Sequence, residues 1–119
     1  MSTKGVKQKI LDAITKVRAL GYTLVCEDWG DPFHECACPM AAIIHVTNPD
    51  DFSASPSENV TKVASILGVD EKWVDCFIEG FDGNGTADGS AVPEAWKIGS
   101  EVNKETKPIA YHLWDGMPK

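Results

Sequence analysis

Apolar residues spaced three and four apart recur in stretch after stretch of this 119-residue chain, and glycine or proline marks where most stretches stop or start. Such spacing covers one side of an α-helix, whose residues advance by about 100° each, and does not fit a strand, where the period is two. The chain must therefore bury several amphipathic helix faces against one another. Val6, Ile10, Ala13, Ile14, Val17 and Leu20 make the first stripe, over residues 3–20, and Gly21 follows where a left-handed residue ends helices at little cost. Residues 22–26, Tyr-Thr-Leu-Val-Cys, read as a short extended piece. In residues 27–37 the acids, Gly30, Asp31-Pro32 and the His-Glu-Cys-Ala-Cys run break all periodicity, which makes this loop a place for chemistry.

Pro39 suits the first turn of a helix, where its missing N–H has no partner to lose, and residues 40–46 continue almost wholly apolar, which predicts a buried helix. Residues 47–55 are turn formers. Ser55 is then a candidate cap, Pro56 a first helical residue, and Val60, Val63, Ala64 and Leu67 an inner face closed by Gly68. Asp70 can cap the next helix, with Trp73, Val74, Phe77 and Ile78 on one side up to Gly80. These two are the clearest helical pair. Residues 81–90 read as a Gly-rich connector, and a last helix from about Val92 places Val92, Ala95, Trp96, Gly99 and Val102 together, with Pro93 tolerated in its first turn. Residues 109–114 admit a short helix after Pro108 or a strand. The expected fold is all-α: about five short helices in one orthogonal bundle spanning residues 1–119 as a single domain, with room for a small two-stranded ribbon of 22–26 with 109–113.

Hydrophobic residues at 43% and charged residues at 24% are ordinary for a globular chain and argue against disorder. No apolar run approaches the roughly 20 residues that cross a bilayer, and the charged first twenty residues do not resemble an export signal. Cytoplasmic residence follows as an expectation, and with it reduced thiols at Cys26, Cys36, Cys38 and Cys76. The formal charge is −7, although residues 1–20 carry five basic residues against one acid. An acidic body weighs against phosphate backbones as ligands.

Four motifs bear on function. Ala64, Gly68 and Val74 resemble the helix-turn-helix of phage repressor-like proteins, where a small residue, a turn glycine and an apolar residue let two helices cross closely; the resemblance implies DNA binding. The second helix, however, sets Asp70, Glu71, Asp75 and Glu79 against Lys72 alone, which repels phosphate. His34, Cys36 and Cys38 offer zinc-type ligands, but Cys-x-Cys chelates less comfortably than Cys-x-x-Cys. Cys38 also precedes Pro39, so it is placed to cap a helix whose positive end favours a thiolate, with His34 and Glu35 as base and orienter. Asp82, Asn84, Thr86 and Asp88 alternate as calcium ligands do, yet Ala87 stands where the turn glycine belongs and Pro93 where the bidentate acid belongs.

Residues 38–42, Cys-Pro-Met-Ala-Ala, together with the segment from Trp73 to Gly-Phe-Asp-Gly at 80–83, are similar to small bacterial and phage helical proteins of no assigned function, a resemblance that implies a compact intracellular protein and transfers no catalytic residue. The residues favour a non-enzymatic protein that binds another protein through Glu71, Lys72, Asp75 and Glu79, with no cofactor and no membrane. The rivals are a helix-turn-helix DNA-binding regulator and a thiol- or zinc-dependent protein using residues 34–38.

Overall fold

The computed structural model describes residues 3–31, 35–53 and 55–110. Five helices form where the three-four spacing places them: α1 (Thr3–Ala19), α2 (Pro39–Thr47), α3 (Pro56–Leu67), α4 (Glu71–Asp82) and α5 (Pro93–Thr106). Proline occupies the first turn of α2, α3 and α5, where no N–H is lost. Val6, Ile10, Ala13, Ile14 and Val17 of α1 are all buried and meet α2 in one contiguous core. Leu20 is not: it is 68% exposed, because α1 stops at Ala19 and Gly21, with φ +96°, turns the chain before the stripe completes another turn. From Pro39 to His45 every residue of α2 is buried, as the apolar run predicts.

The end of α4 differs from expectation. Gly80 does not end α4; the helix runs on through Phe81 and Asp82 to a left-handed Gly83. Gly80 is instead where α5 crosses: a Cβ there would land inside the carbonyl of Trp96, and one on Gly99 inside the carbonyl of Phe77. Absence of side chains at these two positions, not conformational freedom, is their contribution, and α4 with α5 makes the most extensive helix contact in the molecule. The pair α3 and α4, joined through Gly68, packs less extensively.

A small sheet completes the mainly helical fold. Central β1 (Thr23–Cys26) runs parallel to β3 (Cys36–Ala37) and to β4 (Ile109–Ala110), and β2 (Gly30–Asp31) lies antiparallel on β3, giving the order β2-β3-β1-β4. Val25 pairs with Ile109 and Cys26 with Ala110, so the strand alternative for residue 109 onward holds as far as 110; residues 111–114 lie outside the described residues. The ribbon anticipated with two strands has four, because two-residue strands inside 27–37 have no periodicity to betray them.

Candidate functional site

On α4 the inner side, Trp73, Val74, Cys76, Phe77, Gly80 and Phe81, is buried, with Phe77 stacked between Trp73 and Phe81 at ring-centre distances of 5.8 and 6.1 Å. Burial of that side forces the opposite one outward, and Glu71, Lys72, Asp75 and Glu79 are all exposed. Partial desolvation lifts the Asp75 carboxyl above its ordinary range, and the charges of Glu79 and Glu71 add to the lift. Thr61 Oγ1 donates to Glu71 Oε1 at 3.1 Å. Among the described residues the ion pairs are those of Lys7 with Glu101 and Glu105, so the α4 carboxylates have no basic side chain in contact.

The last turns of α4 face a cleft of about 110 Å³ between the turn after β1 and the start of α2. Cys38, Met40, Phe77 and Phe81 make its apolar floor; Asp28, Trp29 and Asp82 stand at its edge. The geometry of that edge is held from several sides. Glu27 has φ +69°, a left-handed conformation costing roughly 1–2 kcal/mol for a residue with a Cβ, and its N–H donates to Asp82 Oδ1 at 2.8 Å. Asp28 Oδ1 accepts from the Gly30 N–H at 2.9 Å, and the Trp29 carbonyl accepts from the Cys38 N–H at 3.0 Å. Burial raises the Asp82 carboxyl above its usual range, the Glu27 N–H opposes the shift, and the charges of Glu27 and Asp28 reinforce it. Sequence reasoning marked residues 27–37 as a place for chemistry but had no signal joining them to Ile78 and Asp82, which lie some fifty residues later.

The cysteine readings fare differently. Cys38 does cap α2, its Sγ accepting from the Ala41 N–H at 3.4 Å. The thiolate is nonetheless not favoured: burial pushes the thiol up to about 12, outweighing the backbone N–H groups of Ala41 and Met40. The expectation that the helix end activates Cys38 is thus corrected, because the same packing that brings the sulfur to the N–H groups removes it from water. Cys36 and Cys76 are buried too, and no cysteine is in a disulfide. His34 lies outside the described residues. Among those described, no three of His, Cys, Asp and Glu are placed to hold a metal ion. His45 is 5% exposed, with both ring nitrogens lacking a hydrogen-bond partner between the rings of Tyr22 and Phe52.

The calcium-like segment also resolves into local bonds. Asp82 belongs to α4, Thr86 Oγ1 accepts from the Gly89 N–H at 3.1 Å, and the Asn84 carbonyl accepts from Trp96 Nε1 at 2.9 Å. Ala64 and Val74 are buried on either side of left-handed Gly68, a packing that any close helix pair shares, and the outward side of α4 carries the acids rather than groups suited to phosphate. No helix of the described residues is long and apolar enough to cross a membrane. In comparisons with known proteins, no family model, curated protein or solved structure matches the chain.

Proposed function

We propose that this chain is a non-enzymatic binding module whose ligand is a basic segment of another protein, received along the outward side of α4. The observation that carries this reading is the row Glu71, Asp75 and Glu79: one helical turn separates each from the next, all are exposed, and no basic side chain is in ion-pair contact with them among the described residues. A single exposed ion pair contributes only about 0.2–1 kcal/mol, so the row acts chiefly by raising the association rate and by rejecting acidic partners.

A lysine- and arginine-rich peptide titrated into the protein at low salt tests the reading. Reversing two charges, Glu71→Lys with Asp75→Lys, should weaken its binding by about tenfold or more, with the deficit shrinking as salt rises above the level where the Debye length is about 10 Å. Equal affinity of the reversed variant for the peptide removes this surface from consideration. Tight, salt-sensitive capture of random-sequence duplex by the native chain would instead assign the helix pair to DNA.

A further inference from the structure

Weak surface pairs need an anchor, because most binding energy at protein interfaces comes from a few side chains buried in pockets. We infer that the cleft beside Trp29 and Asp82 is that anchor, a subsite for one long cationic side chain, lysine or arginine, of the segment that lies along α4; it rests on the proposal that the ligand is a basic protein segment.

Position supports this first. At 100° per residue, Ile78 and Asp82 fall on the same side of α4 as Glu71 and Asp75, and both line the cleft, so the acidic row runs directly into it. Its size is the second point: about 110 Å³ lies well below the roughly 300–1,000 Å³ of ligand pockets and suits one side chain rather than a helix. Chemistry is the third. The floor of Met40, Phe77 and Phe81 takes an alkyl stem, while Asp28 and Asp82 each spend one oxygen on a backbone N–H and keep further lone pairs for an ammonium or guanidinium at the mouth. The Trp29 ring adds an aromatic surface for the same cation. An anion is the wrong occupant, since the start of α2, the positive helix end at the cleft, directs its Ala41 N–H to Cys38 Sγ and the edge carries carboxylates. A purely apolar group would leave those carboxylates facing it.

The test uses small probes, which need no partner. Butylammonium and butylguanidinium titrated into isotope-labelled protein should shift the Trp29 indole and Ile78 amide resonances, whereas butanol at equal concentration should bind at least about tenfold more weakly. The double variant Asp28→Asn with Asp82→Asn keeps an oxygen to accept the Gly30 and Glu27 N–H groups, so its spectrum should stay native-like while probe affinity drops about tenfold. Glu71→Gln with Asp75→Asn should weaken the basic peptide and leave the probes unaffected. Butanol matching the cations, probe shifts away from the cleft, or an unaltered affinity in the Asn double variant each overturns the subsite. Peptide binding that still depends on Glu71 and Asp75 in that event keeps the broader reading; probes that enter the cleft of a protein deaf to basic peptides keep the subsite and overturn the reading.

Discussion

His45 shows what a single buried residue does to the whole balance. Its imidazole sits between Tyr22 and Phe52, 5.3 and 5.0 Å between ring centres, with neither nitrogen hydrogen-bonded, and burial lowers its affinity for a proton below the ordinary value of 6.5. The unfolded chain takes up that proton near its ordinary value while the folded chain resists it, so unfolding binds protons and stability falls with decreasing pH. The contribution is complete above 6.5 and is lost as pH falls from there toward the lowered folded value, with a slope reaching about 1.4 kcal/mol per pH unit. Replacing His45→Leu should flatten the melting temperature of the protein between pH 7.5 and 5.5 relative to the native chain; an unchanged difference between the two pH values refutes the assignment. Asp75 and Asp82, whose affinities for a proton are raised, work in the opposite direction and are common to both proteins. At this scale the sequence was only partly legible. Cys38 as the cap of α2 could be read from its place before Pro39, but its deep burial, which reverses the chemistry expected of it, depends on a core that segments distant in sequence complete.

Among the elements, α4 and α5 depend on each other most. Gly80 and Gly99 let the two backbones approach until the carbonyls of Trp96 and Phe77 occupy the space side chains would take. Because those obstructing atoms are backbone and cannot swing aside, Gly80→Ala or Gly99→Ala should each destabilise the protein by about 3 kcal/mol, measured by denaturant unfolding. The double variant should cost less than the sum, since once the helices separate the second methyl meets an open gap. Single losses below about 0.5 kcal/mol would show that the helices do not lie this close. Glycine has two meanings in a sequence, a stop or a contact, and local pattern favoured the stop at Gly80 and left Phe81 and Asp82 in a loop. The correct limit follows only from α5 lying across it. Where glycine ends a helix in the left-handed conformation, as at Gly21 and Gly68, the local reading and the structure agree.

For the whole molecule, charge is the feature set entirely by composition and distributed by folding. With a formal charge of −7 and the carboxylates of α4 in a row, self-repulsion opposes the compact state. Salt should screen this repulsion, so the melting temperature should rise between about 10 mM and 150 mM sodium chloride, against the small loss from the exposed pairs of Lys7 with Glu101 and Glu105. A falling melting temperature over that range would mean that attraction between unlike charges dominates. The sequence by itself determined five helices, the side of α4 that stays in water and the inner sides apart from residues at their margins such as Leu20, which is exposed, and Ile78, which is half-buried on the side of Glu71 and Asp75, since helical period and hydrophobic burial act within one element at a time. The strands of two residues, the glycine crossing of α4 with α5 and the cleft bringing Asp28 beside Asp82 were decided only by tertiary structure, because each is a meeting of segments that no local periodicity connects.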